Sequence, residues 1–169
     1  MACSVNLSSY SLSDCFSNKG GLKTIWLAPY VENAFTIGSG DTVTGFASGI
    51  TWYKQELSRN TTSLNSSLNV DDNSGANYVT TEATIVYRKM DKENRMNANA
   101  IAKGDMIAVV EDANGTYYAL GVEEPVRASA GTGETGTDRG DANRYELTIQ
   151  DYNSNFPQHL DASAIAQLN

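Results

Sequence analysis

The sequence contains one histidine, His159, and it stands two residues before Asp161 near the end of the chain. Beside a serine, this pair has the residue types of a hydrolase triad, in which the imidazole accepts the proton of the serine hydroxyl. No Gly-x-Ser-x-Gly motif accompanies the pair to present a serine on a sharp turn. An exposed histidine in a polar tail is therefore the favoured interpretation, and an accessory hydrolase stays open as the alternative.

Two further patterns resemble ligand-binding loops. Residues 131–136 fit Gly-x-Gly-x-x-Gly, which holds a dinucleotide when a helix begins directly after it. The next predicted element is a strand at Arg144, so we expect a flexible loop, with a turn at residues 139–141. Residues 71–75 resemble the start of a calcium loop but lack the alternating third ligand, so a β-turn is expected there.

Metal and cofactor sites are not indicated by the remaining residues. The two cysteines, Cys3 and Cys15, form neither a Cys-x-x-Cys pair nor, with a single histidine, a zinc cluster. No nucleophile is accompanied by a matched base, and no glycine-rich segment has the context of a phosphate loop. We therefore expect no cofactor, no metal and no enzymatic activity.

Length and charge limit the classes of function. The chain has 169 residues, which suits one domain, and 12 Lys and Arg against 20 Asp and Glu give a net charge of −8. Tight DNA binding relies on clustered Lys and Arg, so an acidic chain suits a surface to which DNA does not adhere. No segment approaches the run of about 18 apolar residues that spans a membrane. The Ser-rich start lacks the features of a signal peptide.

Alternating apolar and polar residues predict a mainly β fold. In residues 78–89, the apolar side chains recur at every second position, which is typical of a half-buried strand. Asn114 and Gly115 are a strong hairpin signal between two apolar segments. We expect an antiparallel β-sandwich or barrel of about seven strands with one flanking α-helix. The expected strands cover residues 22–28, 50–57, 64–70, 78–89, 106–111, 116–122 and 144–150.

One helix is predicted over residues 91–103. Asp91 has the side chain of an N-cap, and Gly104 is expected to end the helix in the left-handed conformation. Residues 38–49 contain four glycines and predict a loop or a bulged strand, and residues 128–143 predict a loop. The expected buried stripe of the helix consists of Met96, Ala100 and Ile101.

The composition divides the chain into an arm, a domain and a tail. Residues 1–20 are Ser-rich and contain little apolar surface, so they are expected to form a polar N-terminal arm. Residues 21–155 are the expected β-sandwich domain, with a long hairpin near residues 50–89. Residues 156–169 are expected to form a short polar C-terminal tail.

Half of the chain has a recognisable order of elements. Residues 78–122 run as a long strand, a short helix, an apolar strand, an Asn-Gly turn and a strand. After a Gly- and Thr-rich loop, NRYELTIQDY is followed by the ending FPQHLDASAIAQL. This order resembles the tail-tube (major tail) proteins of tailed bacteriophages and the related ring-forming proteins of tail hubs and necks. The closest stretches are YYALG and RYELTIQ.

The resemblance implies a sandwich with a flanking helix, whose subunits join their sheets into a ring around a central channel. A long hairpin then contacts the next ring, and residues 50–70 and 78–89 are the candidates for it. The candidate contacts within or between rings are Trp52, Tyr53, Leu64, Leu68, Tyr78 and Tyr87. The candidate channel-facing residues are Asn65, Ser67, Asn69 and Glu82.

The implied partners are further copies of the chain in a homo-oligomeric ring and neighbouring tail or neck proteins of the virion. Genomic DNA would pass through without specific binding, no membrane is involved, and assembly would take place in the host cytoplasm. A ring or hub protein of a short-tailed phage and a head-decoration protein are alternatives with the same fold. A carbohydrate- or receptor-binding sandwich is the alternative of another class, with Trp52, Tyr53 and residues 128–143 as its site.

Overall fold

The computed structural model describes residues 7–11, 17–58 and 60–168, so both cysteines and Arg59 lie outside the described residues. Antiparallel strands dominate this part of the chain, which confirms the expected mainly β fold. It contains ten strands instead of about seven: β1 (Leu22–Pro29), β2 (Phe35–Ile37), β3 (Val43–Phe46), β4 (Tyr53–Glu56), β5 (Leu64–Asp71), β6 (Ala76–Arg88), β7 (Met106–Asp112), β8 (Tyr117–Leu120), β9 (Arg127–Glu134) and β10 (Arg144–Asn153). The helices are α1 (Lys92–Lys103) and α2 (Ala162–Ile165), and α2 continues into a 3₁₀ turn, Ala166–Leu168. No helix within the described ranges is long and apolar enough to cross a membrane.

Two four-stranded antiparallel sheets form the body of the protein. The first sheet has the strand order β4-β1-β7-β8, and the second has the order β5-β6-β10-β9. β2 and β3 pair as a separate small hairpin. The turns expected at residues 71–75 and at Asn114–Gly115 are present, and each uses a glycine with positive φ, 71° at Gly75 and 82° at Gly115.

The main core lies between the two sheets. Along β6 the side chains of Val79, Ala83 and Ile85 point inward and are fully buried, as their alternation predicts. Ala83 and Ile85 pack with inward side chains of the first sheet, such as Ile25 and Val110. Burying a large aliphatic side chain contributes about 1.5–3 kcal/mol, so this layer provides the main driving force for folding.

A second core lies on the opposite face of the first sheet. Trp26 and Val109 are buried there against Phe35 of the small hairpin and against Leu160 and Leu168 near the C-terminus. The first sheet is thus covered on both faces. This explains why residues 106–110, the first five of β7, are all apolar, since a strand buried on both sides has no polar face.

Helix α1 begins as predicted and ends differently. The Asp91 side chain accepts a hydrogen bond from the Asn94 amide at 2.9 Å, which is N-cap geometry. Gly104 has φ −96° and is extended, so the expected left-handed cap is wrong. The expected stripe is also partly wrong, because Ala98 and Ile101 are the buried residues while Met96 is 58% exposed.

The segment expected as a loop at residues 128–143 contains strand β9, which pairs with β10 along its length. The reason is steric. A Cβ atom on Gly131 would lie 2.9 Å from the Leu147 side chain, and one on Gly133 would lie 3.0 Å from the Tyr145 ring. The glycines therefore let these β10 side chains lie across the edge strand, and their usual meaning as loop residues does not apply.

Two expected boundaries also need correction. β4 pairs with β1 in the first sheet, so the long hairpin is β5–β6 alone and not residues 50–89. The expected tail is part of the fold, because Leu160 and Leu168 are buried and the Leu160 amide donates to the Tyr117 carbonyl at 3.1 Å. The glycine-rich residues 38–49 form the turns around β3, which includes a bulged pairing with β2.

Candidate assembly surface

The pair suggested for hydrolysis is not assembled as a catalytic site. The His159 side chain is exposed and lies against the Tyr118 ring, with 4.9 Å between ring centroids. The Asp161 carboxylate accepts hydrogen bonds from the amides of Ser163 and Ala164, so it caps α2. These bonds, with that from the Ser163 hydroxyl first, lower the pKa of Asp161. Asp161 is thereby used for local structure.

The two segments that resemble ligand-binding loops have other structures. Residues 71–75 form the turn between β5 and β6, and residues 131–136 include the end of strand β9. Asp71 accepts hydrogen bonds from the Asn73 amide and the Ser74 hydroxyl, each at 2.9 Å, and the latter is the main cause of its lowered pKa. Asp141 accepts from the amides of Thr137 and Asp138 at 2.7 Å. In the described part of the chain, no three His, Cys, Asp or Glu side chains come together in a way that could hold a metal.

The second sheet has two free edges. β5 and β9 are its terminal strands, and among the described residues neither pairs with a further strand. Because neighbouring strands alternate in direction, the two terminal strands of a four-stranded sheet run in opposite directions. Two copies set side by side in the same orientation therefore bring β9 of one antiparallel to β5 of the next, which is a favourable strand pairing.

The register identifies the backbone groups that face the β5 edge. The Thr84 amide of β6 donates to the Ser63 carbonyl at 3.0 Å, one residue before β5 begins. In an antiparallel pair only alternate residues bond across the pair, so the odd-numbered residues of β5 bond to β6. Ser66 and Leu68 therefore direct their backbone N–H and C=O groups away from the sheet.

The same alternation identifies the groups at the β9 edge. The Lys89 amide donates to the Asn143 carbonyl at 2.6 Å, so odd-numbered residues of β10 bond to β6 and even-numbered ones bond to β9. Gly131 and Gly133 of β9 consequently direct their backbone groups outward. An edge of this kind can pair with another strand, and Gly131 and Gly133 have no side chains that would hinder its approach.

The outer face of the second sheet is polar. Asn65 lies opposite Glu82 in the register, and Gln150 of β10 donates to the Glu82 carboxylate at 3.0 Å. Arg144 contacts Glu134 and Glu146 on this face, with N–O distances of 2.8 and 3.3 Å. The four residues predicted to face a channel all lie on this outer face: Asn65, Ser67, Asn69 and Glu82.

The six predicted contact residues fall into two groups. Tyr87 is buried, Leu64 packs against the main core, and Trp52 lies against Phe35 and Phe46 in the second core. These three support the fold of their own subunit. The other three remain at the surface, with exposed fractions of 57% for Tyr53, 52% for Leu68 and 42% for Tyr78.

The end of the β5–β6 hairpin carries apolar side chains into solvent. Val70 is 59% exposed and Leu68 is 52% exposed, although both lie on the side of the sheet that is buried farther along. On the opposite side, Tyr78 pairs with Tyr152, with ring centroids 6.0 Å apart. The end of the hairpin therefore exposes aliphatic side chains on its inner side and a tyrosine ring beside Asn69 on its outer side.

One buried acidic residue, Asp151, belongs to none of the sequence motifs. Asp151 is 1% exposed, faces inward beside Thr81, and its oxygens have no well-formed hydrogen bond within the described residues. Burial raises the pKa of Asp151 to about 7, against the opposing effect of the Gly121 amide and with further raising by Glu123 and Glu124. The strand alternation after Ile149 is the signal that places this carboxyl inside.

Comparison with known proteins does not identify the chain: no family model matches it, and a search of curated proteins gives no match. The features of the described residues that bear on function are the two free edges of the second sheet and the exposed end of the β5–β6 hairpin.

Proposed function

We propose that the chain is a structural protein of a tailed-phage virion, a tail-tube or tail/neck ring subunit that assembles around a DNA-conducting channel. The observation that carries the proposal is the pair of free, oppositely directed edges on one four-stranded sheet. Each edge strand has eight residues, so the lengths match. Head-to-tail pairing of unlike edges closes into a ring when the rotation between copies permits it.

The polar face of the second sheet supports its assignment to the channel wall. When the sheets of several copies join edge to edge, one continuous face is directed inward. The outer face carries Asn65, Ser67, Asn69 and Glu82, while the opposite face is occupied by the core of each subunit. The two arginines of this face, Arg88 and Arg144, are accompanied by Glu82, Glu134 and Glu146. In a chain of net charge −8, such a wall has little affinity for DNA phosphates and allows the DNA to slide.

The hairpin end is the proposed contact to the next ring. The side chains of Leu68, Val70 and Tyr78 are exposed to solvent. Contact with another ring would bury this apolar surface, which does not stabilise an isolated subunit. A ring or hub protein of a short-tailed phage, or a head-decoration protein, would use the same fold. The receptor-binding alternative is weaker, because Trp52 is packed in the second core and residues 127–134 form a strand.

The test is the oligomeric state of the purified chain, measured by light scattering and negative-stain electron microscopy over a concentration series. Leu68→Pro removes an N–H that faces the open edge, without removing a bond to β6, and so should prevent rings in a folded subunit. Leu68→Ala is the matched control, since it shortens the same side chain and keeps the N–H. We expect rings with a central hole from the control.

Two results would overturn the proposal. One is a wild-type chain that stays monomeric at high concentration, both alone and with candidate neighbouring tail proteins. The other is normal ring formation by Leu68→Pro protein whose circular dichroism spectrum is unchanged. If Leu68→Ala forms rings that no longer stack, the hairpin contact is supported separately from the edge contact.

A further inference from the structure

A mostly apolar cleft opens between α1 and the end of the first sheet. Its volume is about 310 Å³, which accommodates one or two large side chains. Residues lining it include Leu27, Pro29, Tyr53, Ala100, Ile101 and Met106. Tyr53 and Ala100 are exposed at its rim, so the cleft is open to an incoming side chain.

The N-terminal arm carries the most exposed large apolar side chains of the described residues. Leu7 is 90% exposed and Tyr10 is 87% exposed. The arm joins the body at the β7–β8 turn, where the Lys19 amide donates to Asn114 Oδ1 at 2.8 Å and Asn114 Nδ2 donates to Asn18 Oδ1 at 2.9 Å. An apolar pair at the end of an anchored arm needs a surface to bury it.

We propose that the Leu7–Tyr10 segment of one copy docks into this cleft on a second copy. The arm and the cleft lie at opposite ends of β1, because Leu22 pairs with Asp112 beside the turn, whereas Pro29 pairs with Met106 at the cleft. Arm and cleft therefore form two different patches, and such patches associate head to tail between copies.

A route within one chain is disfavoured by length. The eight residues of β1 span about 23 Å at the rise of a strand. The nine steps from Tyr10 back to Lys19 reach at most about 32 Å when fully extended. Since Lys19 is anchored beyond the start of β1, the arm would have to reverse there and run taut along the whole strand. A second copy presents its cleft without this constraint.

The chemistry of the cleft fits an aromatic side chain with one polar end. Its apolar lining would cover the ring of Tyr10, while Gln55 and Asn97 at the cleft offer hydrogen-bond partners for the hydroxyl. Asp105 is already bonded to Arg127, with Nε–Oδ1 and Nη2–Oδ2 distances of 2.6 and 3.0 Å. Gln55 Oε1 already accepts from the Tyr87 hydroxyl at 3.2 Å, so Gln55 Nε2 and the Asn97 side-chain amide are the available partners.

Disulfide trapping in the full-length chain tests this contact. In a Cys3→Ser, Cys15→Ser background, one protein carries Ser9→Cys, which keeps Leu7 and Tyr10, and the other carries Ala100→Cys, and the two are mixed and mildly oxidised. The matched control partner is Ala102→Cys, an exposed alanine on the same helix that does not line the cleft. We expect more than roughly fivefold more mixed dimer with Ala100→Cys, because docking raises the effective thiol concentration.

Three outcomes are decisive. Preferential mixed dimers at Ala100→Cys support the contact. Equal yields at Ala100→Cys and Ala102→Cys overturn it. A chain with both Ser9→Cys and Ala100→Cys that forms only an internal disulfide also overturns it, because the arm then binds its own subunit. The contact requires a second copy and not a closed ring, so electron microscopy of the same samples reports on the proposed function separately.

Discussion

Replacing Asp151 by Asn should make the free energy of unfolding less dependent on pH. The Asp151 carboxyl is buried between the sheets without a well-formed hydrogen bond among the described residues, and its pKa in the folded protein is raised from 3.8 to about 7. Between these values the folded state holds a proton that the unfolded state has lost. Stability therefore falls as the pH rises through this window and is level above it.

The size of the effect follows from the pKa values. One pKa unit corresponds to about 1.36 kcal/mol, so the full difference corresponds to about 4 kcal/mol. From pH 5 to pH 8 the wild-type chain should lose about 3 kcal/mol that the Asp151→Asn variant retains. Other carboxyls with resolved shifts have lowered pKa values and affect stability only in more acidic solution. The window from pH 5 to pH 8 is therefore dominated by Asp151.

The assay is urea unfolding at low protein concentration, followed by tryptophan fluorescence at pH 5, 6, 7 and 8. Asp72→Asn, at an exposed carboxylate in the β5–β6 turn, is the matched control and should follow the wild-type curve. The reasoning is refuted if wild type and Asp151→Asn lose the same free energy of unfolding over this range. A gap that opens with rising pH supports a protonated, buried Asp151.

Two further substitutions test the corrected elements, each by urea unfolding. Gly131→Ala should cost about 1–3 kcal/mol because the new Cβ would lie 2.9 Å from the Leu147 side chain, whereas Gly140→Ala has open space and should be neutral. Equal costs would contradict β9 as a close-packed edge strand. Leu168→Ala should cost about 2–5 kcal/mol, since Leu168 is buried in the second core, while exposed Met96→Ala should stay within about 0.5 kcal/mol. A neutral Leu168→Ala would restore the interpretation of a free tail.

The sequence predicted the elements whose signals are local. The alternation in residues 78–89 gave the inward face of β6, and Asn114–Gly115 gave the β7–β8 hairpin, since both depend on neighbouring residues. The N-cap at Asp91 is local in the same way. The end of α1 was not predictable, because Gly104 leads directly into β7 and its extended backbone is set by that connection.

β9 and the C-terminal segment show what sequence patterns miss. Glycines and threonines around Gly131 indicated a loop, and only the side chains of Leu147 and Tyr145 on the paired strand explain why glycine is needed there. Likewise, Leu168 stands in the segment expected to form a tail, and it is buried because the first sheet presents a second apolar face. Both depend on contacts between residues distant in the chain.

By itself the sequence determined a mainly β chain, its strongest strands, its capped helix and an acidic composition that suits a surface to which DNA does not adhere. Only the tertiary structure decided which predicted contact residues stay at the surface. It buried Tyr87, packed the partly buried Trp52 against the second core, left Leu68 and Tyr78 exposed, and placed β5 and β9 at the edges of one sheet. The physical reason is that alternation along a strand distinguishes its two faces, whereas the neighbour that covers a face or edge comes from elsewhere in the chain.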